Sequence, residues 1–372
     1  MTASSIKHFL QYAFIVCALI VFSYPLIRFN KKAVVSEKEN RYLASFPSIF
    51  KDNHFNKNFF SDCNAYLSDR FGLRLYFISL NSKINHKLHA FKGAKGIQGK
   101  NGWFFYIDTE DGNNYADFMK QNLLIDENLE KWKENVKNTA TWCKQNGIKA
   151  IFLICPNKHS VYSEYYPFSR PLGRTRTDQL TAILDELGVE YIFPRDVLLQ
   201  KKAEYNYPLY YETDTHWNPI GAYCAFELLK QKIYAAFPER QFPEITYNTK
   251  IDYSETAGDI LPMLNIKKAR STRPTLSPVG AQNADFYEYI KNDGTNGVIT
   301  HSKDTTLPRT LIFRDSFFSA LEPFTSPLFS DAEYIWKRFN DGDKEYILNY
   351  QPDLIIFEAV ERYSANLVQC SR

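Results

Sequence analysis

From residue 125 onward the chain alternates between two rhythms of apolar and polar positions. "DENLEKWKENVKNTATWCKQNG" puts Leu129, Trp132, Val136, Ala140 and Cys143 on one helical face, and Asn146-Gly147 ends it. "KAIFLICP" follows as an unbroken apolar run, the pattern of a strand buried on both faces. A helix over about 177–187 leads into "VEYIF", a second short strand. Asn218 caps a further helix that carries Pro219 at its first position and runs "PIGAYCAFELLKQKIYAAF". Then come the strand "TLIFRDSFF", a helical stretch, the strand "AEYIW", the helix-like "DKEYILNY" and the strand "PDLIIFEAVE". Strands alternating with helices predict an α/β domain with a mainly parallel sheet over roughly 100–372. The segment 265–309 has neither rhythm and reads as a loop or small insertion.

Upstream the pattern differs. Phe9 to Ile27, "FLQYAFIVCALIVFSYPLI", is 19 residues without a charge. As a helix it would reach roughly 28 Å, close to the hydrocarbon thickness of a bilayer. No small-x-small cleavage site follows it, which favours a retained anchor over a cleaved signal peptide. Flanking charge, Lys7 on one side against Arg28, Lys31 and Lys32 on the other, favours an N-terminus outside. A polar linker follows, then a helical pattern over 55–91 carrying Phe59, Phe60, Cys63, Tyr66, Leu67 and Phe71. "GAKGIQGKNGWFFY" supplies glycine turns before a short strand or hairpin. The expected organisation is an anchor at 1–32, a linker and helical region at 33–98, and a catalytic domain at 99–372.

Composition narrows the function. The chain has 372 residues, 44% apolar and 23% charged, which is ordinary for a globular protein. A net charge of +3 and the lack of a zinc-finger or RNA-binding motif argue against nucleic acid. The cysteines show no CxxC pair, so no zinc site is expected. One or two disulfides among Cys63, Cys143, Cys155, Cys224 and Cys370 are compatible with an exported domain.

In open α/β sheets functional groups gather at the carboxyl ends of the strands. Three ends stand out, "LICPNKHS", "IFRDSFFS" and "IIFEAVER". In the second, Ser316 sits where a buried strand turns into a helix, which exposes its hydroxyl and puts its N–H near a helix N-terminus. The same letters also describe an ordinary helix cap. "DTHW" supplies Asp214 and His216 on one short loop, the orienting carboxylate and the proton acceptor that a serine nucleophile needs. A turn acid and a loop histidine are the competing reading.

"DTHW" before a helix and "RDSF" after a strand about one hundred residues later resemble the alginate O-acetyltransferase AlgX/AlgJ-like family. "ENRYLASFP", "SDRFGLR", "GKNGWFFY", "CPNKHSVY", "GDI" and "PDLIIFEAVERY" agree in order along nearly the whole chain. The resemblance implies an SGNH-hydrolase-like three-layer sandwich. It also implies a serine O-acetyltransferase with Ser316 as nucleophile, His216 as general acid/base and Asp214 as its orienter. The glycine and Gly-x-Asn-Asp blocks usual in SGNH hydrolases are not visible, so no second oxyanion donor is assigned. Trp217, Arg314, Lys158, Asp259 and Glu358 are expected to shape the substrate pocket, and Trp103 and Tyr115 are further candidates to stack on sugar rings. No cofactor or metal is expected. The implied partners are a polysaccharide acceptor and a multipass membrane acetyltransferase that supplies acetyl. The implied location is the bacterial inner membrane, N-terminus inside and catalytic domain in the periplasm, against the flanking charges. The alternatives are a glycan acetylesterase using the same three residues and an inactive polysaccharide-binding scaffold.

Overall fold

The computed structural model describes residues 95–369 except 110–111, 257, 265, 281 and 292–296, and, ahead of them, 41–51, 54–74, 76 and scattered positions between 8 and 36. Most of the expected anchor, the stretch 77–94 and Cys370 lie outside the described residues. Among the described residues no helix is long and apolar enough to cross a membrane. Cys63, Cys143, Cys155 and Cys224 are free thiols.

Contacts divide the chain into two units, Met1–Lys92 with Pro262–Asn265, and Gly93–Leu261 with Ile266–Arg372. The first holds helix α1, Phe59–Arg70. At its end the buried Arg70 guanidinium donates to the carbonyls of Asn30 (3.1 Å) and Ala44 (3.2 Å), and Asp69 accepts from the Ala44 N–H at 2.8 Å. The motif "SDRFGLR" thus ties Asn30 and Ala44 to the end of the helix.

The second unit is built on a seven-stranded sheet. Its elements, numbered along the chain, are α2 (Asp126–Gln145), β1 (Lys149–Cys155), α3 (Arg176–Leu187), β2 (Tyr191–Ile192), α4 (Arg195–Glu204) and α5 (Pro219–Ala236). There follow β3 (Tyr247–Thr256), β4 (Ala269–Pro278), β5 (Tyr287–Lys291), β6 (Gly297–Ser302), β7 (Thr310–Phe313), β8 (Asp331–Ile335), α6 (Lys344–Tyr350) and β9 (Leu354–Val360). The sheet order is β5-β6-β8-β7-β9-β1-β2. The five strands from β8 to β2 are parallel, whereas β6 pairs antiparallel with both β8 and β5. The sheet is therefore mainly parallel, as expected, and mixed at its β5–β6 edge. Strands β4, β5 and β6 come from the segment expected to be a loop or small insertion. Edge and ribbon strands bury one face at most, so their apolar runs are short and carry no strand rhythm.

The helices obey local rules. Thr175 and Asp178 form a reciprocal capping box at α3. The Asn218 side chain accepts from the N–H groups of Ile220 (3.0 Å) and Gly221 (3.1 Å) at α5, whose first residue is Pro219. Trp132, Val136 and Cys143 of α2 and Leu180 and Leu184 of α3 share one core with Phe152, Ile154, Phe313 and Phe357 of the sheet. Ile151, Leu153, Ile312 and Ile356, on the opposite pleat, are buried as well, so both faces of the sheet are covered. The carboxyl ends of β1, β7, β8 and β9 consequently open side by side.

Candidate active site

Strand β7 is buried throughout and ends at Phe313, just before Arg314. Asp315 is extended, and its Oδ1 accepts from the Phe317 N–H at 2.9 Å, starting a 3-10 helix at Ser316. As the first residue of that helix, Ser316 has an N–H with no intrahelical partner, and its side chain is half-buried at the surface of the turn. The other Asp315 oxygen accepts from Arg338 (2.7 Å) and from the Val360 N–H (2.9 Å). Burial would raise this carboxyl, but the Arg338 charge and the N–H donors hold it below the usual range. Arg338 went unremarked in the sequence. The signal was its place just after a strand, at the same carboxyl edge as the other candidates.

Glu358 and Arg314 correct the expectation of pocket residues. Glu358 is fully buried and accepts from the Asp315 N–H at 2.7 Å. Burial and the Asp315 charge push it up to about 8, so it is an interior acid supporting the serine turn. The Arg314 guanidinium, also buried, donates to Ser319 Oγ at 2.8 Å and lies 4.5 Å from the Trp336 ring centre.

The acid and the imidazole arrive on a pinched loop. Tyr210 and Trp217 form an isolated antiparallel bridge, and the Asn218 N–H donates to the Leu209 carbonyl at 2.9 Å. From the end of β1 the buried Lys158 reaches into the loop, donating to the carbonyls of Tyr211 (3.0 Å), Glu212 (3.3 Å) and Asp214 (2.7 Å). Its ammonium also lies 5.0 Å from the Phe105 ring centre. Burial pulls it down to about 7, against the pull of Asp259, Asp214 and Glu212. Lys158 thus holds the loop from below, its ammonium engaged by three backbone carbonyls. Trp217 likewise is 1% exposed, and its indole N–H donates to the Phe317 carbonyl at 2.9 Å. It ties the histidine loop to the serine turn and presents no ring to a sugar. Trp103 is buried between Tyr162 and Tyr165, with ring centres at 4.4 and 4.9 Å. Tyr115 packs edge-on against Phe168.

Two segments one hundred residues apart meet here. His216 Nε2 lies 2.7 Å from Ser316 Oγ, and its Nδ1 lies 2.7 Å from Asp214 Oδ1. Asp214 also accepts from the N–H groups of His216 and Asp259, each at 3.1 Å. Burial opposes its charge, but the His216 hydrogen bond and cation and the two N–H donors bring it down to about 2. Burial would likewise depress the imidazole. The bond to Asp214 and the charges of Asp214 and Asp259 outweigh it and raise His216, with Arg362 opposing them. Asp259 faces the same imidazole, its Oδ2 3.6 Å from Nδ1. The ligating atoms of Asp214, His216 and Asp259 all lie within 4.8 Å, but each is already engaged in hydrogen bonds of this network. The arrangement can move a proton from a serine hydroxyl to an imidazole backed by a carboxylate.

Comparisons with known proteins bear on the same region. Residues 97–295 match the family model described as "SGNH hydrolase-like domain, acetyltransferase AlgX", a span that includes Asp214 and His216 and ends before Ser316. The chain is similar to a "Probable alginate O-acetylase AlgJ" of Pseudomonas syringae pv. tomato, 21% identical over 349 residues that cover 87% of this chain and 83% of the relative. Among solved structures it resembles Bacillus cereus PatB1 with a sulfonyl adduct, at a TM-score of 0.54 and 14% identity, over 73% of this chain and 96% of that one. PatB1 without the adduct gives a TM-score of 0.53 at 15% identity, over 73% of this chain and 97% of that one. At such identities the solved structures speak for the fold alone.

Proposed function

The chain belongs to the SGNH hydrolase-like acetyltransferase family typified by AlgX, and from that premise we propose that it is an O-acetyltransferase working through an acetyl-serine. The observation that carries the reading is the continuous relay Ser316–His216–Asp214, with both links at 2.7 Å.

In the first half-reaction the Ser316 Oγ–H proton passes to His216 Nε2 as Oγ bonds to the acetyl carbonyl carbon. The tetrahedral adduct collapses, the donor's leaving oxygen takes the proton from His216, and the acetyl group stays on Oγ. In the second half-reaction an acceptor hydroxyl gives its proton to Nε2 and its oxygen bonds to the acetyl carbon. The C–Oγ bond then breaks and the proton returns to Ser316. Asp214 stays ionised throughout and stabilises the imidazolium. The Ser316 N–H, unclaimed within its helix, faces the developing oxyanion, an interaction typically worth about 10²–10³-fold in rate.

The acceptor in this reading is a hydroxyl of an exopolysaccharide or other cell-surface glycan. The uncharged run at 9–27 anchors the protein in the bacterial inner membrane, residues 33–98 link it, and residues 99–372 act in the periplasm. There a multipass membrane acetyltransferase hands on the acetyl group. The test uses the purified full-length protein with an acetyl ester donor and polysaccharide oligomers. Acetylated oligomer formed by wild type and absent with Ser316→Ala supports the transferase. Free acetate released at a rate indifferent to the oligomers points to the esterase. Oligomer binding with no turnover points to the scaffold.

A further inference from the structure

We propose that Asp259 is a second carboxylate behind His216, a positioning residue that shares with Asp214 the support of the imidazolium and does not touch the sugar. The proposal rests on the serine–histidine relay read above and extends it.

Asp259 and the catalytic loop are joined by reciprocal bonds. The Asp259 N–H donates to Asp214 Oδ2 at 3.1 Å, and the Thr215 N–H donates back to Asp259 Oδ1 at 2.6 Å. The Thr215 hydroxyl donates to Asp259 Oδ2 and lies 3.2 Å from His216 Nδ1. One threonine therefore holds both carboxylate oxygens and aims the second at the ring. The close approach depends on Gly258. Its φ is +51°, and a Cβ there would lie 2.1 Å from the Thr213 carbonyl oxygen. Only glycine lets the turn ahead of β4 settle against residues 213–215.

Direction separates support from substrate contact. Nδ1 and Nε2 lie on different sides of the imidazole, and the reacting oxygen is on the Nε2 side. Asp259 Oδ2 lies 3.6 Å from Nδ1. The charged groups facing the ring are Asp214 on its own loop, Asp259 on the turn after β3, and Arg362 after β9, the last opposing protonation. Lys158, after β1, faces the two carboxylates. Burial and the Asp214 charge raise Asp259, whereas an imidazolium favours its ionised form. The cation formed during transfer thus strengthens its own second counter-charge.

The test follows acetyl-enzyme formation in the full-length protein, as the burst of 4-nitrophenolate from 4-nitrophenyl acetate, across pH. Asp259→Asn keeps an acceptor for the Thr215 N–H and removes the charge. The midpoint of the acid limb, where His216 must lose its proton, should move down by about 0.5–1 pH unit. A purely structural Asp259 would lower the melting temperature and leave that midpoint in place, which would overturn the proposal. If Asp259→Asn does not fold, Asp214→Asn alone decides the matter. With a second carboxylate behind the ring its burst rate should fall by about 10²-fold or less. A loss near the roughly 10⁴-fold seen where one aspartate acts alone would overturn the proposal. An unchanged burst in Ser316→Ala would instead bring down the relay itself, and the proposal with it.

Discussion

Lys158→Met removes one ammonium and leaves a side chain of similar length. Burial lowers that ammonium from 10.5 to about 7, disfavouring the charge by about 5 kcal/mol at ~1.4 kcal/mol per pH unit. Against this stand three hydrogen bonds from a charged donor to carbonyls at 2.7–3.3 Å, about 1.5–3 kcal/mol each. The two largely offset each other, as is common for buried charges, so overall stability should fall by no more than about 4 kcal/mol. The loss is local. Without Lys158, three carbonyls of the loop carrying Asp214 and His216 have no cation to converge on, and the relay loses its alignment. Misplacement by about 1 Å costs on the order of 10²-fold in rate. Denaturant unfolding and the kcat/KM for an acetyl ester, measured on one preparation, check both halves. A folded Lys158→Met protein that turns over at the wild-type rate would refute the claim that this lysine holds the catalytic loop.

Glu358 stays protonated up to about pH 8, so its contribution to stability is complete below its ordinary 4.5 and is lost as pH rises through 8. Glu358→Gln should melt near wild type at pH 4 and above it at pH 9, as followed by circular dichroism; equal melting at pH 9 would contradict a buried neutral acid. Gly258→Ala drives a Cβ into the Thr213 carbonyl at a positive φ, and should cost about 2–4 kcal/mol in denaturant unfolding and most of the ester turnover. Trp217→Phe removes the indole donor to the Phe317 carbonyl and should cost about 1–3 kcal/mol. Because that ring is buried, KM for a glycan acceptor should not change, and a raised KM would reinstate Trp217 as a sugar contact.

Much of the fold was legible because a buried parallel strand has few disguises. "KAIFLICP", "TLIF" and "LIIFEAV" are apolar on both pleats, and the caps at Asn218 and Asn146-Gly147 follow local rules. The strands between 247 and 302 were not legible, since an antiparallel ribbon such as Lys250 to Ser254 carries its polar residues in the open and shows no apolar run. At the site, the strand-end rule found Ser316, Lys158 and Glu358 but could not say which way each side chain points. The pleat turns Glu358 inward, and Lys158 takes up three carbonyls contributed by a loop more than fifty residues away. Trp217 shows the same limit, because an aromatic beside a catalytic histidine reads alike whether it faces a sugar or a neighbouring turn. Arg338 and Thr215 act through tertiary pairing, with Asp315 and Asp259 respectively; a strand-end position marks Arg338 but names no partner, and nothing local marks Thr215.

The central claim is that Ser316 carries the acetyl group. The direct measurement is an acid quench of the full-length protein during turnover of an acetyl ester, followed by proteolysis and mass mapping of the peptide containing "RDSFF". The account predicts one added acetyl group on Ser316 in wild type, its accumulation in the absence of acceptor, and its loss in Ser316→Ala and His216→Ala. An acetyl group found elsewhere, or turnover that persists in Ser316→Ala, would contradict it.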